Sequence, residues 1–136
     1  MSHKKQAFNP EGWPASKAPY TRGIGVGDMV FVAGQGPIDI PTGKVHHGTI
    51  EEETELTIKN VEAILKASGC TLADCVKATV HLMDMNEFDR FNAVYRQHFP
   101  EPRPVRTTVQ SVLWGGIRVE IDVIAIRGCE IGRAHV

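Results

Sequence analysis

The chain has 136 residues, with 15 Lys+Arg against 16 Asp+Glu, 42% hydrophobic and 23% charged residues. That composition fits one globular domain and not a fibrous or disordered chain, and a net charge of −1 argues against nucleic acid as the main partner. No apolar run approaches the ~20 residues of a membrane span. The opening MSHKKQAFNP has lysines without a following apolar stretch, so no secretory signal is expected and the cytosol is the expected compartment.

Residues 1–19 carry Pro10, Gly12, Pro14 and Pro19 without periodicity and read as an N-terminal arm. A single domain is expected over 20–130, with a C-terminal tail over 131–136. Stretches 21–26 and 29–33 flank Gly27-Asp28, a two-residue hairpin turn between strands. Gly34-Gln35-Gly36-Pro37 ends the second strand, and Pro41-Thr42-Gly43 marks another turn. Thr49 followed by Glu52 is a capping box, and Glu51, Glu52 and Glu53 suit the positive end of a helix dipole. Ile58, Val61, Ile64 and Leu65 then recur at helical spacing and Gly69 supplies a left-handed stop, which predicts a helix over 50–68.

Residues 75–83 alternate, Val76, Ala78, Val80 and Leu82 being apolar among Lys77, Thr79 and His81, as in a half-buried strand. A second helix is expected from about Asn86, capped by Asp84 or Asn86, with Phe88, Phe91 and Tyr95 on one stripe. Pro100, Pro102 and Pro104 forbid its continuation. Stretches 105–112 and 118–126 are two further strands, joined around Gly115-Gly116. The order β-β-(β)-α-β-α-β-β predicts an α+β fold whose two helices cover one face of the sheet. Cys70, Cys75 and Cys129 read as small buried hydrophobes, not a disulfide framework. His46-His47 and His81 bring no two close ligand pairs at zinc spacing, so no metal is expected.

The last two strands carry the informative alternation. Val105, Val109, Val119, Ile121, Val123 and Ala125 are expected to face the helices; Arg106, Thr108, Gln110, Arg118, Glu120 and Asp122 are expected on the opposite face. A polar sheet face can simply be solvated. Arg106 and Glu120, however, read as lying on the same face of neighbouring strands, flanked by short Thr108. A guanidinium on a rigid strand is a bidentate carboxylate clamp, and a partly desolvated Glu beside it can hold and polarise water. Together they suit a small carboxylate substrate attacked by water, although a plain Arg106–Glu120 ion pair uses the same residues. Asn92 falls on the buried stripe, where its amide must be fully hydrogen-bonded. Gly23, Gly25 and Gly27 lack the following helix of a dinucleotide loop, no serine sits in a nucleophile elbow, and Cys70 has no base to activate it.

Six segments in order carry a resemblance: Ala18-Pro19-Tyr20, 30–39 (VFVAGQGPID), 60–65 (NVEAIL), 88–95 (FDRFNAVY), 104–109 (PVRTTV) and 119–125 (VEIDVIA). They resemble the Rid/YjgF family of small imine deaminases, also labelled endoribonuclease L-PSP-like. The resemblance implies a chorismate-mutase-like fold and a homotrimer with active sites between subunits. It further implies cofactor-free hydrolysis of 2-imino or enamine acids to 2-keto acids and ammonia, as by a 2-iminobutanoate/2-iminopropanoate deaminase. On the same resemblance Arg106 binds the substrate carboxylate, Glu120 positions water, and the backbone carbonyl of Thr108 holds water or the leaving nitrogen. Tyr20 lines the pocket, Gly34 gives a backbone contact, and Asn92 is the asparagine of the second-helix motif.

The chain departs from the family at three places. Ala33 stands where the family has serine, Thr108 where it often has cysteine, and Leu113-Trp114 where it has Leu-Pro. Ala33 removes a hydroxyl and Trp114 reshapes the rim, which opens the site to a dedicated catabolic enamine or aminoacrylate substrate. An endoribonuclease and a non-catalytic metabolite-binding or chaperone-like module are the other readings. The absence of a basic stripe interleaved with aromatics speaks against the first.

Overall fold

The computed structural model describes residues 3–129, so the expected tail at 131–136 lies outside the described residues. A six-stranded sheet has the order β1-β2-β3-β8-β6-β7, from β1 (Gln6–Phe8), β2 (Gly23–Val26), β3 (Met29–Gln35), β6 (Cys75–Leu82), β7 (Val105–Gln110) and β8 (Val119–Ile126). Short strands β4 (Ile38–Asp39) and β5 (Lys44–Val45) form a separate hairpin. Two helices, α1 (Ile50–Ala67) and α2 (Phe88–His98), complete a mixed α+β fold.

Local signals place most elements. Thr49 and Glu52 make the reciprocal capping box at the start of α1, and Ser68 ends that helix as its cap residue. Gly27, at φ +58°, turns β2 into antiparallel β3, with Val26 opposite Met29. Asp84 caps a 3₁₀ turn at Met85–Glu87, and α2 starts two residues later than expected, at Phe88. The arm does more than lie on the surface: Gln6–Phe8 adds an antiparallel strand beside β2. Arg22, almost fully buried, pins the arm by donating to Asn9 Oδ1 and the Pro14 carbonyl and by stacking 5.2 Å from the Trp13 ring centroid.

One face of the sheet is the core. Val30, Val32, Ala78, Val80, Leu82, Val119, Ile121, Val123 and Ala125 are buried against Ile58, Val61, Ile64 and Leu65 of α1 and Phe91, Val94 and Tyr95 of α2. Each full burial of a Val, Leu, Ile or Phe side chain is worth about 1.5–3 kcal/mol against exposure. Cys70 and Cys75 are buried free thiols, as expected, and Cys129 is half-buried.

Strand neighbours correct the sequence reading. β7 and β8 are not adjacent, because β6 lies between them, parallel to β7 and antiparallel to β8. The β6–α2–β7 segment is a crossover unit, which makes its two strands parallel. Register then fixes the faces: Arg106 lies opposite Ala78 and Thr108 opposite Val80, both on the helix side. Val105, 68% exposed, and Val109 point away from the helices instead of into the core. Glu120 lies opposite His81 and Asp122 opposite Thr79, on the open face. Arg106 and Glu120 therefore occupy opposite faces of the sheet, which removes the expected same-face pair and the Arg106–Glu120 ion pair within one chain.

Candidate active site

Arg106 lies at the sheet edge over an aromatic floor. Its guanidinium carbon is 4.7 Å from the ring centroid of Tyr95, 5.5 Å from that of Phe91 and 5.6 Å from that of Phe88. Stacking on ring faces orients the planar group and offsets part of its desolvation. Burial draws its pKa below the arginine norm, with Tyr95 opposing, yet the group stays cationic. Among the described residues it has no carboxylate partner. An unneutralised, half-buried cation is a place for an anion.

A cleft of about 230 Å³ opens beside it, lined by Asn92, Tyr95, Arg96, Arg103, Pro104 and Arg106. Among the described residues, two polar atoms there are buried without a partner, Asn92 Oδ1 and the Tyr95 hydroxyl. The Asn92 amide is thus not fully satisfied, contrary to the expectation for a buried amide. Burial also pushes the Tyr95 phenol up to about 12, with Arg106 opposing, so the hydroxyl keeps its proton at neutral pH.

Thr108 follows on the same face of β7, half-buried. The Ser111 N–H donates to the Leu82 carbonyl at 2.9 Å. By the two-residue period of a strand, Thr107 and Val109 direct their backbone groups to β6, while Arg106 and Thr108 turn theirs out from the unpaired edge. The Thr108 carbonyl is therefore free to meet a ligand beside the arginine.

Glu120 belongs to a second cleft, of about 320 Å³, which also holds Tyr20, Arg22, Ala33, Gly34, Trp114 and Asp122. β3 shifts register against β8 between Val32 and Gln35, which brings Ala33 and Gly34 to the irregularity. A Cβ at Gly34 would lie 3.0 Å from the Glu120 carboxyl carbon, so glycine is what lets the carboxylate lie against the backbone. Gln35 Nε2 holds the Ala33 carbonyl at 3.0 Å. Asn60, reaching up from α1, donates to the carbonyls of Gly36 at 3.1 Å and Ile38 at 2.8 Å. Glu53, 1% exposed, accepts from the backbone N–H of Arg118 at 2.8 Å and so fixes the entry to β8 two residues before Glu120. Burial raises the Asp122 carboxyl, with His81 and Lys77 opposing.

The candidate residues fall into two groups. Arg106, Asn92 and Thr108 gather at the β7 edge; Tyr20, Gly34, Trp114 and Glu120 gather at the second cleft, on the other side of the sheet. Arg22, Arg103 and Tyr95 line these clefts and were not singled out from sequence as ligand-facing. The only sequence signal for Arg103 is a third arginine beside a proline-rich stop. Among the described residues no group of three His, Cys, Asp or Glu side chains is placed to hold a metal ion, and no helix is long and apolar enough to cross a membrane.

A sheet backed by two helices, with an arginine cleft at its edge and a carboxylate cleft on its far side, defines a small α+β protein with a divided polar site. The family model described as Endoribonuclease L-PSP matches residues 11–127, and the chain belongs to this family, Rid/YjgF. A RutC family protein of Pyrococcus abyssi is 41% identical over 124 residues, covering 90% of this chain and 98% of that one. The 2-iminobutanoate/2-iminopropanoate deaminase of Bos taurus is 39% identical over 116 residues, covering 85% of each. The crystal structure of a putative endoribonuclease from Thermotoga maritima superposes with a TM-score of 0.85 at 40% identity, covering 91% of this chain and 98% of that chain.

Proposed function

We propose that the protein hydrolyses reactive 2-imino and enamine acids to 2-keto acids and ammonia, at a site completed between copies of the chain. The observation that carries this reading is the division of the site. The carboxylate clamp and the water-holding carboxylate lie on opposite faces of one sheet, so one copy cannot apply both to one small substrate. The open face that bears Glu120 also exposes Met29 and Phe31, with Val105 and Val109 beyond β6, an apolar surface suited to a second copy. A homotrimeric ring, joining the arginine edge of one copy to the Glu120 cleft of the next, satisfies both requirements.

The chemistry uses water alone. The Arg106 fork holds the substrate carboxylate and turns the C=N carbon toward the Glu120 cleft. Glu120 of the neighbouring copy orients a water and takes its proton as oxygen bonds to that carbon. The carboxyl returns that proton to nitrogen, which gives a carbinolamine. Glu120 then takes the carbinolamine hydroxyl proton and passes it to the same nitrogen, so the C–N bond breaks with loss of ammonia as the C=O forms. In this reading the outward carbonyl of Thr108 and the Asn92 amide hold the leaving nitrogen. An enamine enters the same route after its tautomerisation to the imine. Ala33 and Trp114 line the Glu120 cleft and shape the rim of the pocket.

The reading is tested by mixing. Arg106→Ala and Glu120→Gln are each expected to lower kcat/KM on 2-iminopropanoate made in situ by more than about hundredfold. Co-expressed in equal amounts, the two inactive chains should recover about a quarter of parental activity, because each head-to-tail interface needs one intact Arg106 and one intact Glu120. A mixture as dead as its components overturns the shared site. Either single variant at full activity overturns the deaminase mechanism.

A further inference from the structure

The Arg106 cleft holds more positive charge than one carboxylate requires. Arg96, Arg103 and Arg106 line it together. The only ion pair among these three, within the described residues, is Arg103 with Glu101 at 3.0 Å, and Glu101 is 79% exposed. An exposed pair of that kind is worth at most about 1 kcal/mol and is readily exchanged for a ligand.

Arg103 is nonetheless held in place. Its Nε donates to the Phe99 carbonyl at 3.0 Å and its Nη2 to the Arg96 carbonyl at 3.3 Å. Those contacts anchor the guanidinium against the chain at the end of α2, where a cation also suits the helix dipole. A guanidinium has five N–H groups. Among the described residues, the bonds to Phe99, Arg96 and Glu101 occupy three, which leaves two for a ligand. The same cleft contains the Tyr95 hydroxyl, buried and unpartnered on a side chain only 4% exposed, and the unpartnered Asn92 Oδ1. Polar atoms buried in this way are commonly completed by a bound group.

We propose that Arg103, with Arg96, forms a second carboxylate subsite beside Arg106, so that the preferred substrates are imines of dicarboxylic amino acids. This rests on the deaminase reading above and names its substrate class. Arg106 takes the carboxylate next to the imine carbon, and Arg103 takes the side-chain carboxylate with its two remaining donors. The Tyr95 hydroxyl donates to the same acid. A cleft of about 230 Å³ admits a short acid of this kind, and not a drug-sized ligand.

The test compares imine loss for the aspartate-derived and alanine-derived imines, each made in situ by an amino-acid oxidase. The purified parent chain should show a kcat/KM at least tenfold higher for the aspartate imine. Arg103→Leu should cut that preference about tenfold, and Arg96→Gln, at an exposed position where folding is not at risk, should cut it severalfold. Equal rates in the parent overturn the subsite. So does an Arg103→Leu variant slowed equally on both imines, which assigns Arg103 to the helix end alone. A separate readout is calorimetric binding of oxaloacetate against pyruvate. Tighter oxaloacetate binding that is lost in Arg103→Leu, in a protein that consumes neither imine, retains the subsite and overturns the deaminase reading instead. Equal binding of the two acids overturns the subsite.

Discussion

Gly34 shows how one atom sets the geometry of a functional group. The Glu120 carboxyl fills the space a methyl would need, with Cδ 3.0 Å and Cγ 3.2 Å from an ideal Cβ. Gly34→Ala is therefore expected to displace Glu120 and lower kcat by about ten- to hundredfold, with the melting temperature little changed; full activity in this variant would remove Glu120 from the chemistry. Asp122, next on the same face, tests electrostatics. Its carboxyl is raised by burial against the pull of His81 and then Lys77. With a raised folded-state pKa, the stability this group lends is full in acid and is lost as the pH rises through that value. Asp122→Asn should melt higher than the parent near neutral pH and level with it in acid. A shift equal at both pH values would assign the effect to packing. Sequence singled out Arg106, Asn92 and Glu120 because guanidinium, amide and carboxylate groups on regular elements stand out. It passed over Tyr95 and Arg103, whose roles depend on which side chains share a cleft.

At the scale of elements, the helices serve the site as struts. α1 projects Asn60 onto the carbonyls of Gly36 and Ile38 and Glu53 onto the start of β8. Asn60→Ala leaves two acceptors short of a donor beneath the Glu120 cleft. It is expected to cost about 1–3 kcal/mol in chemical denaturation, with a loss of kcat from the loosened loop. An unchanged denaturation midpoint would show that water replaces the amide. Helix ends and turns were legible in sequence because their signals are local: Thr49 with Glu52, Gly27-Asp28, and the prolines after α2. The strand Gln6–Phe8 was not, since three residues without alternation become a strand only when β2 offers an edge. Nor was the neighbour of β7, although the strand–helix–strand order of β6, α2 and β7 already favours a parallel pair.

At the scale of the whole molecule, the helices among the described residues leave one face of the sheet uncovered. Phe31, 39% exposed, lies there across from Ile124. If copies close over this face, Phe31→Arg should yield a monomer by light scattering and lose deamination with it. A monomer that keeps full activity would overturn the shared site, because the two clefts would then have to act alone. Charge balance is consistent with such closure: at a net −1, copies do not repel one another strongly.

The sequence by itself determined most of the elements, the α+β class, the family and several of the side chains worth watching, because capping, turns, periodicity and motif order are properties of short segments. Only the tertiary structure decided where those side chains face. Inserting β6 between β7 and β8 put Arg106 and Glu120 on opposite sides of the sheet. Alternation along a strand fixes which residues share a face but not which face; that is settled by register with the neighbouring strand.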